Sequence, residues 1–374
     1  DILDQIQCLS YEEQLKFKQN KVYNNLVRIG GQDDFVMKDI IGMEEPFNYR
    51  NKAQFPVGID KEGNIVSGFY AGRTHSIIGI DSCDLGLKLD GRDINKEVMD
   101  IVKKFMTKYQ IEPYNEVTHK GLVRHVLIRI GAKTKQIMVC IIINGRKLPN
   151  KDELVEKLCK LEGMHSVSLN VNTNKSNVIL GSKIINLYGS GYIEDYIGDV
   201  KFRISPLSFF QVNPVQTEKL YNKALSFVSD SDTIVDLYSG TGTITMLLAK
   251  KARKVIGIEV VKEAVEDAKN NMLLNHIDNI EFICDKVENK IDTLKETNID
   301  TLIMDPPRGG SDKKTLKSLL EIEPKKIIYI SCNPITLARD INVLREKYDI
   351  KDVSAFDMFP NTYHVECVCV LNLK

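Results

Sequence analysis

The stretch TIVDLYSGTGTITMLLAKKA (residues 233–252) has the pattern of a buried strand that turns directly into a helix. Its apolar start, residues 234–237, is followed by Gly240 and Gly242 and then by a run of helix-forming side chains. Glycines in such a turn let the backbone approach a ligand and leave the first helix amides open to it. The stretch therefore predicts one strand–helix unit of an open α/β sheet, with a ligand close to Gly240.

The same alternation continues through the C-terminal part of the chain. Further strand-like runs are separated by helical ones, and these runs are KVIGIEV (254–260), IEFIC (280–284), IDTLIMDPP (299–307) and KKIIYISCNP (325–334). Strands that alternate with helices form a parallel sheet covered on both faces. Residues 48–205 instead carry short β-rich pieces between Gly, Asn and Asp residues, which is typical of an antiparallel α+β domain.

The chain is too long for one ordinary core, because it has 374 residues. We expect an N-terminal helical segment at residues 1–40 that docks on the parallel-sheet domain, and Ser10 and Glu13 form the pattern of a capping box at the start of its helix. The α+β domain is assigned to residues 41–205 and the parallel-sheet domain to residues 206–374.

Composition excludes membrane-spanning and disulfide-stapled classes of protein. Hydrophobic residues make up 43% of the chain and charged residues 27%, and no apolar run reaches the length of a membrane span. The eight cysteines include no C-x-x-C pair, which favours reduced thiols. We therefore predict a cytoplasmic protein with no membrane association and no obligate protein partner, and a monomer by default.

The turn after residue 237 and the next strand predict a nucleoside-type cofactor. Glu259 ends the strand KVIGIEV, nineteen residues after Gly240, where a carboxylate can accept hydrogen bonds from both hydroxyls of a ribose. A dinucleotide site has a third glycine, but here that position is Thr245, so S-adenosylmethionine, which lacks phosphates, suits the turn better. Asp285 follows the strand IEFIC and either meets the adenine or caps a helix.

Two residues at neighbouring strand ends are candidates for the chemistry. Asp305 and Cys332 each follow an apolar strand, and ligands of parallel sheets bind at the carboxyl ends of the strands. A thiolate that adds to carbon 6 of a pyrimidine makes carbon 5 able to accept a methyl group. Cys332 is therefore a candidate nucleophile, although a free cysteine is more often a small buried hydrophobe.

That reaction also needs a base to remove the proton from carbon 5. Near the C-terminus, PNTYHVECVCVLNL (360–373) places His364 and Glu366 at the start of a final strand. We predict Glu366 as the base, because a carboxylate shielded from water has a raised pKa. His364 is either a neighbour that orients it or a surface residue.

These motifs together resemble those of the S-adenosylmethionine-dependent RNA uracil-5-methyltransferases, which make 5-methyluridine in 23S ribosomal RNA or transfer RNA. The matching stretches occur in the order of the family, and they are SFFQVN (208–213), DLYSGTGTIT (236–245), GIEVVKEAVEDAKNN (257–271), DPPRGG (305–310), YISCNP (329–334) and HVECVCVL (364–371). The resemblance implies a Rossmann-like methyltransferase domain beside an α+β RNA-binding domain. It also extends upstream through LSYEEQLKFKQNKV and YRNKAQFPVG, and so covers nearly the whole chain.

The resemblance assigns roles to individual residues. It implies that Cys332 is the nucleophile and Glu366 the general base. The residues implied to line the methyl-donor pocket are Gln211, Tyr238, Gly240, Glu259, Asp285 and Asp305. Gln211 and Asp305 are implied to touch the target uracil as well. The residue pattern alone would make Gln211 part of the start of a helix.

The sequence departs from this family at its N-terminal side. Full-length relatives usually begin with a small β-barrel RNA-binding domain, which we expect this chain to lack. Many relatives hold an iron–sulfur cluster through four cysteines; Cys83 matches the fourth, whereas the third falls near Asp4. Such clusters usually need four thiolates. We therefore predict no iron–sulfur cluster and no other metal site in this chain.

Residues 117–151 carry eight basic and no acidic side chains, which indicates an RNA-binding face. Arg124 and Arg129 are predicted to point to one side of its strands, although an ordinary solvated face would show the same pattern. The residues that could extend this surface are Arg50, Lys52 and Arg73. The target uridine must be flipped out to reach Cys332.

The favoured substrate is 23S ribosomal RNA, judged from the similarity of DLYSGTGTIT to the ribosomal branch, and the alternative is the same reaction on transfer RNA. Another nucleic-acid base methyltransferase is a weaker alternative. Adenine N6 enzymes have an aromatic residue where Arg308 stands, and cytosine-5 RNA enzymes use a second cysteine in a Pro-Cys motif that is missing here. A non-enzymatic RNA-binding module would leave Cys332 and Glu366 unexplained.

Overall fold

A computed structural model describes residues 6–70, 77–80 and 82–374. Contacts within these residues divide the chain into two compact units. The central unit contains Phe47–Tyr196 and Arg203–Ser208. The C-terminal unit contains the described residues up to Pro46, together with Ile197–Phe202 and Phe209–Lys374.

This division differs from the predicted boundaries at residues 40/41 and 205/206. Residues 41–46 and 197–202 pack with the C-terminal unit, where Ile41 bridges to Phe356 and the Lys201 amide donates to Asn275. Residues 206–208 belong to the central unit. Short segments next to each predicted boundary thus belong to the other unit. A change of composition along the chain does not reveal this.

The C-terminal unit is built on a seven-stranded sheet with the order β12-β11-β10-β13-β14-β16-β15. Its strands are β10 (Thr233–Leu237), β11 (Lys254–Glu259), β12 (Ile280–Cys284), β13 (Thr301–Met304), β14 (Lys326–Ser331), β15 (Tyr348–Phe356) and β16 (Glu366–Leu373). The first five of these are parallel to one another, and β16 runs antiparallel to both β14 and β15. This is the parallel α/β sheet that the alternating pattern predicted, in the Rossmann-like form that the family resemblance implied.

Helices connect these strands and bury the sheet on both faces. They are α4 (Pro214–Leu225), α5 (Thr243–Ala249), α6 (Lys262–Leu274), α7 (Val287–Lys290), the 3-10 helix Ile291–Leu294, α8 (Lys313–Ile322) and α9 (Pro334–Leu344). Strands β10 and β13 are buried at every position, because helices cover both sides of a parallel sheet. This burial explains their continuous apolar runs.

The central unit has its own seven-stranded sheet, with the order β3-β2-β1-β4-β5-β6-β7. Its elements are β1 (Lys52–Ile59), β2 (Ile65–Tyr70), β3 (Ile77–Gly79), α2 (Ile94–Lys108), β4 (Val123–Ile130), β5 (Ile137–Ile143), α3 (Lys151–Cys159), β6 (Met164–Val171) and β7 (Lys183–Gly189). A separate two-stranded sheet consists of β8 (Ile193–Ile197) and β9 (Val200–Ile204). The large sheet is antiparallel except at β5–β6, where α3 provides the crossover that a parallel pair requires.

Helix α1 (Tyr11–Arg28) packs within the C-terminal unit, against α9 and β15. The capping box predicted at its start is present, since Ser10 and Glu13 bond reciprocally. Its most buried polar side chain is Lys18, which pairs with the buried Asp357 and donates to the Phe359 carbonyl at 3.0 Å. The Tyr11 hydroxyl also donates to Asp357, at 2.9 Å. These bonds fix the segment that leads to Glu366.

Replacing Lys18 with methionine is expected to lower the free energy of unfolding by about 3–5 kcal/mol, because Asp357 would keep a buried charge without its cation. Lys16→Met is the matched control, since Lys16 pairs with Glu12 on the surface of the same helix, and exposed pairs contribute about 0–1 kcal/mol. Urea denaturation of the full chain measures both. Equal effects of the two substitutions would contradict the importance of the buried pair.

Among the described residues, no helix is both long enough and apolar enough to cross a membrane.

Candidate active site

The sheet order of the C-terminal unit gathers the predicted chemical residues at one edge. Strands β10, β11, β13 and β14 are parallel, so their carboxyl ends meet there, and β16 starts at the same edge because it runs the opposite way. The residues that these strand ends carry are Tyr238, Glu259, Asp305, Cys332 and Glu366. The edge therefore combines a thiol with several carboxyl groups.

Strand pairing brings Cys332 close to Glu366. The last registered pair between β14 and β16 is Ser331 with Cys367. Cys332 directly follows β14 and Glu366 is the first residue of β16, so both lie at the same end of this pair of strands. The thiol and the carboxyl group also interact electrostatically, as does Asp305 with both.

Burial raises the pKa of all three groups. Glu366 is only 7% exposed, and burial followed by the charge of Asp305 raises its pKa well above the ordinary value. Burial also raises the pKa of Asp305 to about 7. The pKa of the Cys332 thiol rises to about 11, chiefly through burial and then through Glu366 and Asp305. The site thus favours bound protons, or a cation in their place.

The end of β14 explains why a thiol stands beside an asparagine and a proline. Pro334 opens α9, and the Asn333 side chain caps that helix by accepting from the Ile335 amide at 3.1 Å. Asn333 also donates to the carbonyl of Arg308 at 3.0 Å. The cap ends the strand just before Cys332 and ties this turn to the loop that follows Asp305.

The glycine-rich turn holds Glu259 in a fixed orientation. Tyr238, Gly240 and Gly242 have left-handed φ values of 67°, 55° and 77°. The Gly240 amide donates to Glu259 Oε2 at 2.9 Å, and the Val261 amide donates to Oε1 at 2.8 Å. Each carboxylate oxygen keeps acceptor capacity. A methyl group added at Gly240 would meet no atom of the described residues within 4 Å, so among them the turn borders open space.

Tyr238 lies beside this turn and is half-buried. Its hydroxyl is 3.1 Å from the Ser311 hydroxyl, and burial raises its pKa. Its ring packs against the apolar core of the C-terminal unit. These contacts hold the ring in place, and its contact with a cofactor stays a prediction.

Asp285 has the local contacts of a turn. Its Oδ1 accepts from the Lys286 amide at 2.7 Å and from the Asn289 side chain at 3.0 Å. The Asn289 bond, followed by the Lys286 amide, lowers the pKa of Asp285. Its own amide donates to the Glu259 carbonyl at 3.0 Å, which keeps it next to the turn. A contact with adenine stays a prediction.

Gln211 is half-buried and lies just before α4, which Asn213 caps through the Gln216 amide. Its side chain is therefore not the cap of that helix. The Thr241 hydroxyl donates to the Phe209 carbonyl at 3.1 Å, so the segment of Gln211 is attached to the glycine-rich turn. The roles of Gln211 toward cofactor and uracil stay predictions.

Sequence reasoning did not select Asp236, which lies in β10 just before the glycine-rich turn. Asp236 is fully buried and accepts from the Thr245 hydroxyl at 2.5 Å, while its Oδ1 has no partner among the described residues. Burial raises its pKa to about 7, and Asp305 and Glu259 add to the effect. The signal in the sequence that could have identified Asp236 is an acidic residue inside an otherwise apolar strand.

The predicted exposed face at Arg124 and Arg129 is wrong. Both side chains are buried, with 2% and 3% exposed. Arg124 donates to the carbonyls of Asn172 and Asn174, and Arg129 donates to that of Ser208. Alternating basic and apolar residues suggested a solvated face, but β4 is buried at all eight positions.

Arg50 and Lys52 are half-buried in the central unit. Lys52 lies opposite Arg129 in the strand register, and its pKa is lowered to about 8 by burial and then by Arg129 and Arg50. Their contact with RNA stays a prediction. Arg73 lies outside the described residues.

A thiol close to a carboxyl group at this edge of a Rossmann-like sheet is compatible with a base methyltransferase, and the comparisons with known proteins specify the family. A family model of tRNA (uracil-5-)-methyltransferases matches residues 95–374. An uncharacterized RNA methyltransferase of Clostridium tetani is 46% identical over 98% of this chain and 80% of its own, and one of Oceanobacillus iheyensis is 44% identical over 99% and 81%. The chain belongs to the RNA uracil-5-methyltransferase family, as its motifs predicted.

A solved structure supports this assignment. The tRNA (uracil-54, C5)-methyltransferase of Pyrococcus abyssi, in complex with S-adenosyl-L-homocysteine, is 32% identical, with a TM-score of 0.83. The match covers 98% of this chain and 84% of that one. The protein is therefore an RNA methyltransferase with the fold of that enzyme.

Proposed function

We propose that this protein transfers a methyl group from S-adenosylmethionine to carbon 5 of a uridine in RNA, with Cys332 as nucleophile and Glu366 as general base. The observation that carries the proposal is that Cys332, Glu366 and Asp305 lie close enough to interact electrostatically, at the end of the paired strands β14 and β16. Neither residue is explained by methylation of an exocyclic amine.

The residues at the carboxyl ends of the parallel strands fit S-adenosylmethionine as the cofactor. Glu259 has acceptor capacity for ribose hydroxyls next to the open space at Gly240. The unpartnered Oδ1 of Asp236 and the buried Asp305 favour a positively charged ligand, whereas a pyrophosphate would meet negative charge. When bound, S-adenosylmethionine supplies an electrophilic methyl group and becomes a neutral thioether once that group is transferred.

The chain's own residues perform the other steps. Cys332 first loses its proton to the neighbouring Asp305 carboxylate, which leaves Glu366 ionised for the later step. The thiolate adds to carbon 6, and the electron pair of the 5,6 double bond moves toward carbon 5 and the carbonyl oxygen. After carbon 5 has accepted the methyl group, the Glu366 carboxylate removes the proton from carbon 5. The double bond then re-forms and the thiolate leaves.

Glu259→Ala is expected to weaken binding of S-adenosylmethionine by about 10–100-fold, because two hydrogen bonds to the ribose would be lost. The variant should show a correspondingly smaller rise of melting temperature with the cofactor. Glu263→Ala is the control, since Glu263 is an exposed acid in the first turn of α6. An unchanged cofactor affinity in Glu259→Ala would contradict the assignment.

Two observations bear on the choice of RNA substrate, one from the sequence and one from a structurally similar enzyme. We favour 23S ribosomal RNA because the turn DLYSGTGTIT is similar to that of the ribosomal branch of the family. We also propose that the protein is cytoplasmic. Transfer RNA is the second candidate, since the Pyrococcus abyssi enzyme is named for it. Incubation of the protein and cofactor with each purified RNA, followed by mapping of 5-methyluridine, tests the proposal. Methylation of neither RNA would overturn it.

A further inference from the structure

The central unit contains a pocket of about 300 Å³ that no part of the proposed reaction uses. Tyr70, Glu116, Arg124, His125 and the loop 176–179 line it. All of these residues belong to the central unit, whereas the catalytic residues belong to the other unit. A volume of this size is sufficient for a single planar heterocycle.

His125 lines this pocket, and its buried ring carries hydrogen-bonding groups that no described residue uses. Its side chain is 3% exposed, yet neither ring nitrogen has a partner among the described residues. Burial and then the charge of Arg124 lower its pKa to about 4, so the ring is neutral and offers one donor and one acceptor. Buried polar groups are normally paired, so these two nitrogens indicate a polar ligand.

One part of the pocket wall is held in place by buried polar contacts. Arg124 donates to the carbonyls of Asn172 and Asn174 at 3.1 and 2.7 Å and lies 4.2 Å from the ring centre of Tyr114. The Asn172 side chain donates to the carbonyls of Val178 and Ile179 at 2.7 and 2.8 Å. The loop 176–179 is therefore shaped before any ligand binds.

Glu116 and Tyr70 complete the chemistry of the pocket. The half-buried Glu116 carboxylate lies 3.4 Å from Arg124 and keeps acceptor capacity beyond that pair. The rings of Tyr70 and His125 are 6.3 Å apart and nearly perpendicular. The pocket thus combines aromatic surface, a carboxylate, and a neutral imidazole that can both donate and accept.

We propose that this pocket binds a guanine base of the RNA substrate, away from the uridine that is methylated. Guanine presents two adjacent donors, N1–H and the N2 amino group, which suit one carboxylate, and its O6 and N7 accept from an imidazole N–H. Uracil and adenine lack such an adjacent pair of donors. The proposal rests on the proposed function only in taking RNA as the source of the base.

Binding of guanosine 5′-monophosphate and inosine 5′-monophosphate to the full chain tests the pocket directly, because inosine lacks only the N2 amino group. We expect the guanosine nucleotide to bind about tenfold more tightly, and Glu116→Gln to reduce that ratio below about twofold. Glu112→Gln, an exposed acid outside the pocket, should leave the ratio unchanged. Equal binding of both nucleotides, or discrimination that persists in Glu116→Gln, would overturn the proposal.

Inosine substitution in the methylated RNA tests the source of the base. One guanosine position should raise KM about tenfold when replaced, with kcat unchanged, and Glu116→Gln should remove that sensitivity. If the free nucleotides are discriminated but no RNA position is sensitive, the assignment to RNA is overturned. The nucleotide measurement needs no methylation, so a failure of the proposed function would leave its result intact.

Discussion

Cys332→Ala is expected to abolish both methylation and covalent capture of RNA that contains 5-fluorouridine. Fluorine at carbon 5 cannot leave as a proton, so the wild-type adduct should persist and appear as a slower band in a denaturing gel. Without the thiol no bond to carbon 6 forms, and the rate should fall at least about 10⁴-fold. The substitution removes one sulfur from a half-buried position, so the fold should be retained.

Cys284→Ala is the matched control for this experiment. Cys284 is a free cysteine that ends β12 at the same edge of the sheet, but it is exposed and lies at the far side of the glycine-rich turn. The Cys284→Ala variant should form the covalent adduct with RNA that contains 5-fluorouridine as the wild type does. Uridine methylation by Cys332→Ala, verified by mass spectrometry, would show that another group is the nucleophile.

Glu366→Gln is expected to retain adduct formation but to slow release by about 10²–10⁴-fold. The amide has nearly the shape of a protonated carboxyl group, which burial already favours at this position, so packing should change little. The methylated adduct should therefore accumulate even on RNA with ordinary uridine. Quantifying the protein–RNA band over time, with cofactor present, measures this.

The same carboxyl group predicts the pH dependence of release. Only the carboxylate form can remove the carbon-5 proton, and burial raises the pKa of Glu366, so the wild-type release rate should increase as pH rises through that raised value. Glu366→Gln should lack this dependence. Glu346→Gln, an exposed acid just beyond α9, should behave as the wild type. Normal turnover by Glu366→Gln would exclude it as the base.

Much of the C-terminal unit follows from its sequence, because parallel strands have a distinctive pattern. Each buried strand reads as an apolar run, and the residue after it must lie at the ligand edge, which located Asp305 and Cys332. Glu366 could be selected because an acid at the start of a hydrophobic strand is oddly placed for a purely structural residue. Asp236 was overlooked because nothing in one strand shows that a buried acid faces other acids.

The central unit was less predictable. Basic residues that alternate with apolar ones normally mark a half-solvated sheet, yet Arg124 and Arg129 are buried by segments far away in sequence, around Asn172 and Ser208. Such long-range coverage leaves no local pattern. The parallel pairing of β5 and β6 was missed for a similar reason, since α3 is only nine residues long.

The ion pair between Lys18 and Asp357 means that the catalytic half is not a continuous piece of chain. A recombinant fragment that starts at Phe209 would keep every strand of the Rossmann-like sheet. It would, however, expose the surface that α1 covers and leave the buried Asp357 carboxylate without its cation. Those who wish to excise the methyltransferase portion would have to supply the N-terminal helix as a separate peptide or fuse it back genetically. The first helix and the chain around Asp357, near the C-terminus, thus fold as one cooperative unit.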